Sequence, residues 1–261
     1  MRIHWRVAMM RFKNKVVIVT GAARGIGRAI AMGFAREGGI VVLADIRDDQ
    51  GQKNVEEIQH NGGQAFFIHT DVSIKAEVQN LVAQTIHSFH HIDVLVNVAG
   101  ICPFKDFLDI PEEMWDQVLD VNLKGVFLCS QAVAKSMVEK GIKGHIVSVS
   151  SISSIVGGAQ QAHYCSTKAA INLLTASMAI ALGPKGITCN AILPGPIETD
   201  INKEDLANQE KRNYFINRTP LKRIGQPEDL IGPVLFYASE ESAWCTGSTL
   251  VVDGGILVNF Q

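Results

Sequence analysis

Three features of the chain predict an α/β fold with a single doubly wound parallel sheet of about seven strands and helices on both faces. The first is a regular alternation of short apolar runs with longer helical patterns. The second is a β-branched apolar run, residues 15–20, that leads directly into a glycine-rich turn and a helical pattern. The third is composition, because 47% of the residues are hydrophobic and only 19% are charged, which suffices for a large core.

The elements follow one another in a simple order. The predicted strands are short and apolar, as expected where a parallel sheet is covered on both faces, and they span residues 15–20, 40–44, 64–69, 92–97, 144–149, 187–193 and 248–252. The predicted helices span residues 25–37, 49–60, 74–89, 112–140, 163–182 and 227–239. One polar stretch, 197–218, interrupts the alternation; it predicts a substrate lid, with a solvated surface excursion as the alternative.

Composition also bounds the domain organisation and the partners. No repeat or linker divides the chain, so residues 13–261 are predicted to form one domain, preceded by a flexible extension, 1–12, that lacks the apolar core of a secretory signal. The 24 basic and 26 acidic residues give a formal charge of −2, which offers no general basis for binding nucleic acid or anionic membranes. The apolar runs are of strand length, so no membrane span is predicted. Five cysteines without paired spacing favour a reducing compartment, and a cytoplasmic location is expected.

The glycine-rich turn predicts nucleotide binding. Residues 21–27 read Gly-Ala-Ala-Arg-Gly-Ile-Gly between a strand and a helix. Glycines let backbone N–H groups approach a pyrophosphate, and the positive end of the following helix stabilises the anion. A merely tight connection is the alternative, since the spacing differs from the G-x-G-x-x-G fingerprint.

Asp45 ends the second strand eighteen residues after Gly27, where a carboxylate can accept hydrogen bonds from an adenosine ribose. Capping of the next helix is the alternative. Arg24 and Arg47 could each pair with a 2′-phosphate, whereas Asp45 would repel one. NAD is therefore the expected cofactor, with NADP possible.

Tyr164 and Lys168 form the most informative pair, because residues four apart lie on one face of a helix. A nearby ammonium favours the ionised phenol, so we expect Lys168 to lower the pKa of Tyr164 and make it an acid/base group. Ordinary packing on a helix surface is the alternative.

Two further groups were weighed as sites. His87, His90 and His91 are expected on one helical face, but no carboxylate or cysteine ligand stands at a suitable spacing, so no metal site is predicted. Cys165, beside Tyr164, is interpreted as a packing residue and not as a reactive thiol.

From about residue 13 to its end, the chain resembles the short-chain dehydrogenase/reductase family. The resemblance is carried by Thr20-Gly-x-x-x-Gly-x-Gly27, Asp71-Val72, Asn97-Val-Ala-Gly100, Tyr164-x-x-x-Lys168 and Pro194-Gly-Pro-Ile-Glu-Thr199. Val98 departs from the family pattern, which has a second asparagine there. The resemblance implies a Rossmann-type dinucleotide-binding catalytic domain with NAD or NADP as the cofactor.

The resemblance also implies roles for individual residues. Asn122 corresponds to the helix asparagine that holds a water and the lysine in a proton relay, and Ser151 to the serine that binds the substrate oxygen. The implied catalytic set is Asn122, Ser151, Tyr164 and Lys168. The implied cofactor contacts are Gly21, Arg24, Gly25, Ile26, Gly27, Asp45, Arg47, Asp71, Val72, Asn97, Ala99, Gly100, Tyr164, Lys168, Pro194, Ile197 and Thr199. The expected substrate contacts are Ser151, Ser153, Gln161 and Tyr164, with Gln160 and His163 beside them.

The expected reaction is hydride transfer between a nicotinamide and a hydroxyl or carbonyl carbon. Segments 196–205 and 252–261 resemble the aldose 1-dehydrogenases of the family, which implies oxidation of an L-rhamnose-like sugar at C1 to a lactone. A 3-oxoacyl-carrier-protein reductase is the alternative enzyme, and a nucleotide-binding redox sensor is the alternative from another class. Family resemblance and two broadly apolar helices, near 112–140 and 163–182, further imply a homotetramer.

Overall fold

The computed structural model describes residues 10–200 and 202–259. Its centre is a seven-stranded sheet in which every pairing is parallel. The strands are β1 Val16–Thr20, β2 Ile40–Asp45, β3 Gln64–His69, β4 Val94–Asn97, β5 His145–Val149, β6 Thr188–Pro194 and β7 Thr249–Val252. All seven predicted strands are therefore present, with ends that differ by at most two residues.

Helices cover both faces of the sheet. They are α1 Gly25–Arg36, α2 Asp48–His60, α3 Lys75–Phe89, α4 Glu112–Leu119, α5 Gly125–Lys140, α6 Ala162–Leu182, α7 Lys203–Ala207, α8 Gln209–Arg218 and α9 Ile231–Tyr237. The single helix predicted for 112–140 is interrupted by a π-helical turn, Asp120–Lys124, which separates α4 from α5. The polar stretch predicted as a lid contains α7 and α8, neither of which its weakly amphipathic sequence indicated.

The strand order is β3-β2-β1-β4-β5-β6-β7. The chain therefore winds outwards from β1 in one direction and from β4 in the other, and the order reverses between these two strands. In open α/β sheets, ligands bind in the crevice outside the carboxyl ends of the strands at such a switch point. The fold class predicted from the sequence is confirmed.

Two hydrophobic clusters hold the layers together. One packs α1, α2 and α9 against one sheet face through residues such as Phe34, Val55 and Leu235. The other packs α3, α5 and α6 against the opposite face, with Leu81, Met137 and Ile146 fully buried. Side chains of the five inner strands are buried on both faces, whereas the edge strands β3 and β7 are largely exposed. The two layers therefore hold the carboxyl ends of β1 and β4 in fixed positions.

The flexible extension was predicted to end at residue 12, but the folded domain begins before that residue. Phe12 is buried and packs edge-on against Phe34, with ring centroids 4.7 Å apart. Arg11 pairs with Glu37 and Glu241. Both residues therefore belong to the folded domain. Residues 1–9 of the predicted extension lie outside the described part of the chain.

One helix meets the length and hydropathy criteria for a membrane span, contrary to the expectation from strand-length runs. It covers 162–185 and has a mean hydropathy of 1.3 over its most apolar window. The same helix, however, packs against the sheet and carries the buried Lys168. Length and composition alone are weak evidence, and we assign it as a core helix of the α/β domain.

Candidate active site

A cleft of about 770 Å³ opens at the carboxyl ends of the strands, at the switch point. One end contains the glycine turn and the ends of β2 and β3, and the other contains Tyr164 and the lid helices. Its walls include nearly all of the expected site residues: Gly21, Arg24, Gly25, Ile26, Gly27, Asp45, Arg47, Asp71, Val72, Ala99, Gly100, Ser151, Ser153, Gln161, Tyr164, Lys168, Pro194, Ile197 and Thr199. A volume of this size lies within the range of small-molecule and cofactor sites.

The glycine turn leaves no room for side chains. Gly21 has φ +64°, and a Cβ there would lie 2.8 Å from the Cα of Ala99. A Cβ on Gly27 would lie 2.1 Å from the carbonyl oxygen of Gly21. The backbone is thus packed tightly at the start of α1, and the side chain of Arg24 makes no capping hydrogen bond with that helix. The first residues of α1, Gly25 to Gly27, line the cleft, and the free N–H groups at the N-terminus of a helix suit a pyrophosphate.

Asp45 holds this turn from behind. Its Oδ2 accepts a hydrogen bond from the N–H of Ala23 at 2.9 Å, and its Oδ1 accepts one from the N–H of Arg47 at 3.1 Å. The residue is buried yet lines the cleft, and the N-cap of α2 is Arg47 and not Asp45. The position at the end of β2 therefore agrees with a ribose contact, although the carboxylate also organises the backbone.

Asn54 is a supporting residue that no sequence motif indicates. It lies buried on α2, and its Nδ2 donates to the carbonyl oxygens of Ala22 and Ala23. Asp45 accepts a hydrogen bond from an N–H of the turn and Asn54 donates to two of its carbonyl oxygens. Together the two side chains fix the shape of the turn. In the sequence, Asn54 is only one more polar residue of a polar helix, so the signal that could have indicated it is weak.

Tyr164 and Ser151 meet at the other end of the cleft. Ser151 follows β5, and its side chain lies close enough to the phenol of Tyr164 for hydrogen bonding between them to lower the pKa of the phenol. The Oγ of Ser151 also accepts from the N–H of Ser153 at 3.0 Å, which orients it. The two hydroxyl groups are therefore adjacent and can contact one substrate oxygen.

Lys168 lies one helical turn from Tyr164, as predicted, with its Nζ 5.4 Å from the phenol ring centroid. The Nζ also donates to the carbonyl of Val149 at 2.9 Å. Burial lowers the pKa of Lys168 to about 8. The expected lowering of the Tyr164 pKa is wrong for this state of the protein: burial raises the pKa of the phenol, nearby Cys102 raises it further, and the hydrogen bond with Ser151 only partly opposes the rise.

Asn122 lies in the π-helical turn and is fully buried, so it does not line the cleft. Its Oδ1 accepts from the N–H of Ile101 at 2.8 Å, and its Nδ2 donates to the carbonyl of Ile101 and to Thr167. A Cβ on Gly100 would be 3.3 Å from Oδ1 of Asn122 and 3.8 Å from Nζ of Lys168, so these two groups flank Gly100. The side chain joins the loop after β4 to α6.

Asn97 was expected to contact the cofactor, but it is not among the residues that line the cleft. Its side chain is buried away from the cleft, where Nδ2 donates to Ser130 at 3.0 Å and approaches Ser148 at 3.3 Å. The residue is the last of β4, and successive strand side chains point to opposite faces. Asn97 therefore braces β4 against α5 and β5, while Ala99 and Gly100 line the cleft.

Thr199 and Ile197, expected to face the nicotinamide carboxamide, are organised by Asn202. The Oδ1 of Asn202 accepts from the N–H of Thr199 at 2.9 Å, and its Nδ2 donates to the carbonyl of Ile197 at 2.7 Å. Both residues line the cleft. In the sequence, Asn202 is one of several polar residues of the stretch 197–218, and no motif distinguishes it from the others.

The lid is fastened at its base and touches the opposite wall. Glu198 forms a two-pronged ion pair with Arg212 on α8, at 2.8 and 3.1 Å, and this pair lowers the pKa of Glu198 to about 2. Across the cleft, Lys211 lies 5.7 Å from the ring centroid of Phe104. Phe215 also faces the cleft.

The substrate end contains expected and unexpected residues. Ser153, Gln160 and Gln161 line it, and Gln161 donates to the sulfur of Cys102 at 3.2 Å. His163 does not, because it is fully buried in the first turn of α6. The cleft wall also includes residues that no sequence pattern indicated, among them Cys102, Phe104, Gln117, Leu206, Lys211 and Phe215.

The three histidines near residue 90 do not share a helical face. The helix α3 ends at Phe89, and His90 takes the left-handed conformation of its C-cap. His91 lies beyond it and approaches Asp93, with Nε2 3.1 Å from Oδ2. Within residues 10–200 and 202–259, no group of three or more His, Cys, Asp or Glu side chains is arranged to hold a metal ion.

The cleft has a glycine turn suited to a dinucleotide at one end and the side chains of Ser151, Tyr164 and Lys168 at the other. This is the architecture of a dinucleotide-dependent oxidoreductase. A family profile described as enoyl-(acyl carrier protein) reductase matches residues 21–257. The chain belongs to the short-chain dehydrogenase/reductase family, whose members are NAD(P)-dependent oxidoreductases, and this confirms the resemblance noted in the sequence.

The similar proteins include sugar dehydrogenases. The L-rhamnose 1-dehydrogenase (NAD(P)(+)) of Azotobacter vinelandii is 50% identical over 95% of this chain and 98% of its own. The L-rhamnose 1-dehydrogenase (NADP(+)) of Thermoplasma acidophilum is 42% identical over 97% of this chain and 100% of its own. Among solved structures, a gluconate 5-dehydrogenase of Burkholderia cenocepacia in complex with NADP and tartrate has a TM-score of 0.92 at 32% identity, covering 96% of this chain and 98% of its own.

Proposed function

We propose that this protein oxidises an aldose at C1 to the lactone, with L-rhamnose as the preferred sugar and NAD or NADP as the hydride acceptor. The observation that carries the proposal is the contact between Ser151 and Tyr164 at the end of a cleft that also contains the glycine turn. Two relatives that are 42% and 50% identical over nearly the whole chain, named for this activity, support the choice of sugar.

Each residue of the cluster has a separate task in the proposed mechanism. The nicotinamide, when bound, supplies the hydride acceptor. Ser151 and Tyr164 hold the C1 hydroxyl oxygen between them, which fixes the carbon that loses the hydride. The phenolate of Tyr164 takes the hydroxyl proton, so that the carbonyl of the lactone forms without a free alkoxide.

The positive charge of Lys168 makes that proton transfer possible. Burial without compensation disfavours the phenolate, and the ammonium of Lys168, 5.4 Å from the ring centroid, supplies a charge of the opposite sign. We infer that Lys168 also binds the nicotinamide ribose. Asn122 positions the loop at Gly100 beside the ammonium, and we infer that the proton leaves towards solvent by a water held near these residues.

We further propose that the protein works as a homotetramer in the cytoplasm, with residues 11–261 as the catalytic domain and 197–218 as the substrate lid. The proposed interface is the outer face of α5 and α6, where Phe127, Leu173 and Ile180 are exposed. Family resemblance supports the assembly, and the five cysteines, none of them paired in a disulfide, agree with a reducing compartment.

Initial rates with purified protein test the substrate proposal. The panel should contain L-rhamnose, L-mannose, D-glucose, D-gluconate and, for reduction, a 3-oxoacyl thioester, each with NAD and NADP. We expect the highest kcat/KM for L-rhamnose and lactone as the product. Preference for the thioester would favour the alternative 3-oxoacyl-carrier-protein reductase, and the absence of turnover despite dinucleotide binding would favour a redox-sensing role.

A further inference from the structure

His69 ends β3 beside the position expected to bind the adenosine ribose. In the parallel pairing of β2 with β3, His69 is the partner of Asp45. Paired residues of neighbouring strands lie about 4.8 Å apart and point to the same face of the sheet. His69 is half-exposed, whereas Asp45 is buried and fixed to the glycine turn. His69 itself does not line the cleft, but Asp45, its partner in the sheet, and Thr70 and Asp71, which follow it in the chain, do. A charge on His69 therefore lies close to this corner of the cleft.

The groups that face His69 are acidic. From α2, Oδ1 of Asp48 lies 2.6 Å from Nδ1 of His69, and from α3, Oε2 of Glu77 lies 3.9 Å from Nε2. Asp71, in the turn after β3, and Asp45, on the adjacent strand, add two more carboxylates. The hydrogen bond with Asp48 is the main cause that raises the pKa of His69 above its ordinary value.

The same corner is where NADP differs from NAD. The 2′-phosphate of NADP projects from the adenosine ribose and carries a charge of about −1.5 to −2. Arg47 lines this corner and can pair with a phosphate, but the carboxylates around it repel one. Protonation of His69 adds a positive charge to this acidic corner.

We propose that His69 is a specificity-determining residue whose protonation favours NADP over NAD at this end of the cleft. It acts by offsetting the charges of Asp45 and Asp48 and not by touching the reacting atoms. The inference rests on the cofactor placement proposed above. It accounts for how one site with both Asp45 and Arg47 can accept either dinucleotide.

The expected effect is modest because the group is half-exposed. One unit charge roughly 8 Å from a phosphate in water changes binding by about fivefold, and salt at physiological strength reduces this to about twofold. The sign follows from the titration: His69 is charged below its raised pKa, so the NADP to NAD ratio rises as the pH falls. NAD alone, without the 2′-phosphate, responds much less.

The experiment measures kcat/KM for NADP and for NAD at a saturating substrate concentration from pH 6 to pH 9. The variants are His69→Gln, which keeps a hydrogen-bonding side chain without charge, and His69→Lys, which keeps a charge throughout. The matched control is His60→Gln, an exposed histidine at the end of α2. The 2′-phosphate of NADP itself titrates near pH 6. The NADP to NAD ratio of each protein is therefore divided, at each pH, by the ratio for His69→Gln, in which the titration of the phosphate also occurs.

We expect the divided ratio for the wild type to fall about twofold between pH 6.5 and pH 9, and the ratio for His69→Lys to stay high. The His60→Gln control should behave as the wild type. Superimposable profiles for the wild type and His69→Gln would overturn the inference. A separate variant, Asp45→Asn, tests the cofactor placement independently of the role of His69. An unchanged NADP to NAD ratio in this variant would overturn the cofactor placement itself.

Discussion

At the residue scale, Tyr164 is half-buried, in a site that disfavours its ionised form. Burial and the nearby Cys102 raise the pKa of the phenol, and its hydrogen bond with Ser151 is the compensating contact. An i, i+4 lysine alone is thus too little to produce a tyrosinate at neutral pH in the protein without ligands. The site needs the further positive charge of an oxidised nicotinamide, which links proton abstraction to cofactor binding.

Replacing Tyr164 by Phe is expected to lower kcat by at least about a hundredfold, because the ring packing stays and the proton-transfer group is lost. Steady-state kinetics with the best sugar of the panel would measure it. Dinucleotide affinity, measured by fluorescence titration, should barely change. Turnover close to that of the wild type would show that another group abstracts the proton.

Lys168 gives the stability of the protein an unusual pH dependence. Its pKa is lowered by burial to about 8 in the folded protein, against about 10.4 in an unfolded chain. Between these values the unfolded state binds a proton that the folded state does not, so this residue makes stability rise with pH. Below about pH 8 the full cost of burying the charge is present.

Comparison with Lys168→Met isolates this contribution. From pH 7.5 to pH 9.5, the free energy of unfolding of the wild type should rise relative to the variant by about 2 kcal/mol, an order-of-magnitude figure. Urea unfolding without dinucleotide would measure the difference. A constant difference between the two proteins over this range would mean that Lys168 stays protonated in the folded state.

Local patterns identified single residues well only where the chain itself brings the partners together. Tyr164 and Lys168 share a helix, and Gly21, Gly25 and Gly27 share a turn, so spacing predicted where they would lie. Asn54 contacts a turn about thirty residues away. A contact of that kind leaves no periodic trace, because any polar residue on the inner side of α2 would give the same pattern.

At the element scale, the strands were predictable because burial on both faces demands continuous apolar runs. The π-helical turn at 120–124 was not, since its residues continue the helical pattern of their neighbours. That turn places Asn122 against Ile101, so the missed irregularity lies at the proposed site. The orientation of Asn97 was not predictable for a related reason. The motif identifies its position in the chain, but the direction of its side chain depends on where β4 ends.

The lid is the element whose anchoring can be tested directly. Replacing Glu198 by Gln removes the charge that pairs with Arg212 on α8. We expect a KM for the sugar several times higher and faster cleavage by trypsin in the lid, with a smaller change in kcat. Glu210→Gln on the same helix is the control with the same charge change.

The pKa of Glu198, lowered to about 2, means that this carboxylate stays ionised through any practical assay range. The effect of Glu198→Gln should therefore be independent of pH between 5 and 9. Equal trypsin sensitivity of the wild type and the variant would show that the ion pair does not hold the lid.

At the scale of the whole molecule, α5 and α6 expose an apolar face that the domain does not bury. Leu173 and Ile180 are seven positions apart on one side of α6, with 71% and 80% of their surfaces exposed. This face is also why α6 passes the criteria for a membrane span. Its opposite side carries the buried Lys168 and packs on the sheet. A second protein surface is the more economical cover for such a helix.

The last prediction concerns that surface. Leu173→Glu places a charge at the centre of the proposed contact and should separate the subunits, because a buried, unpaired carboxylate costs several kcal/mol at an interface. Since α6 also carries Tyr164 and Lys168, activity should fall together with the molar mass measured by light scattering across a dilution series. Gln52→Glu, with the same charge change on α2 beneath the opposite sheet face, should leave both unchanged. A wild-type protein that is a stable and fully active monomer at assay concentration would contradict the proposed assembly.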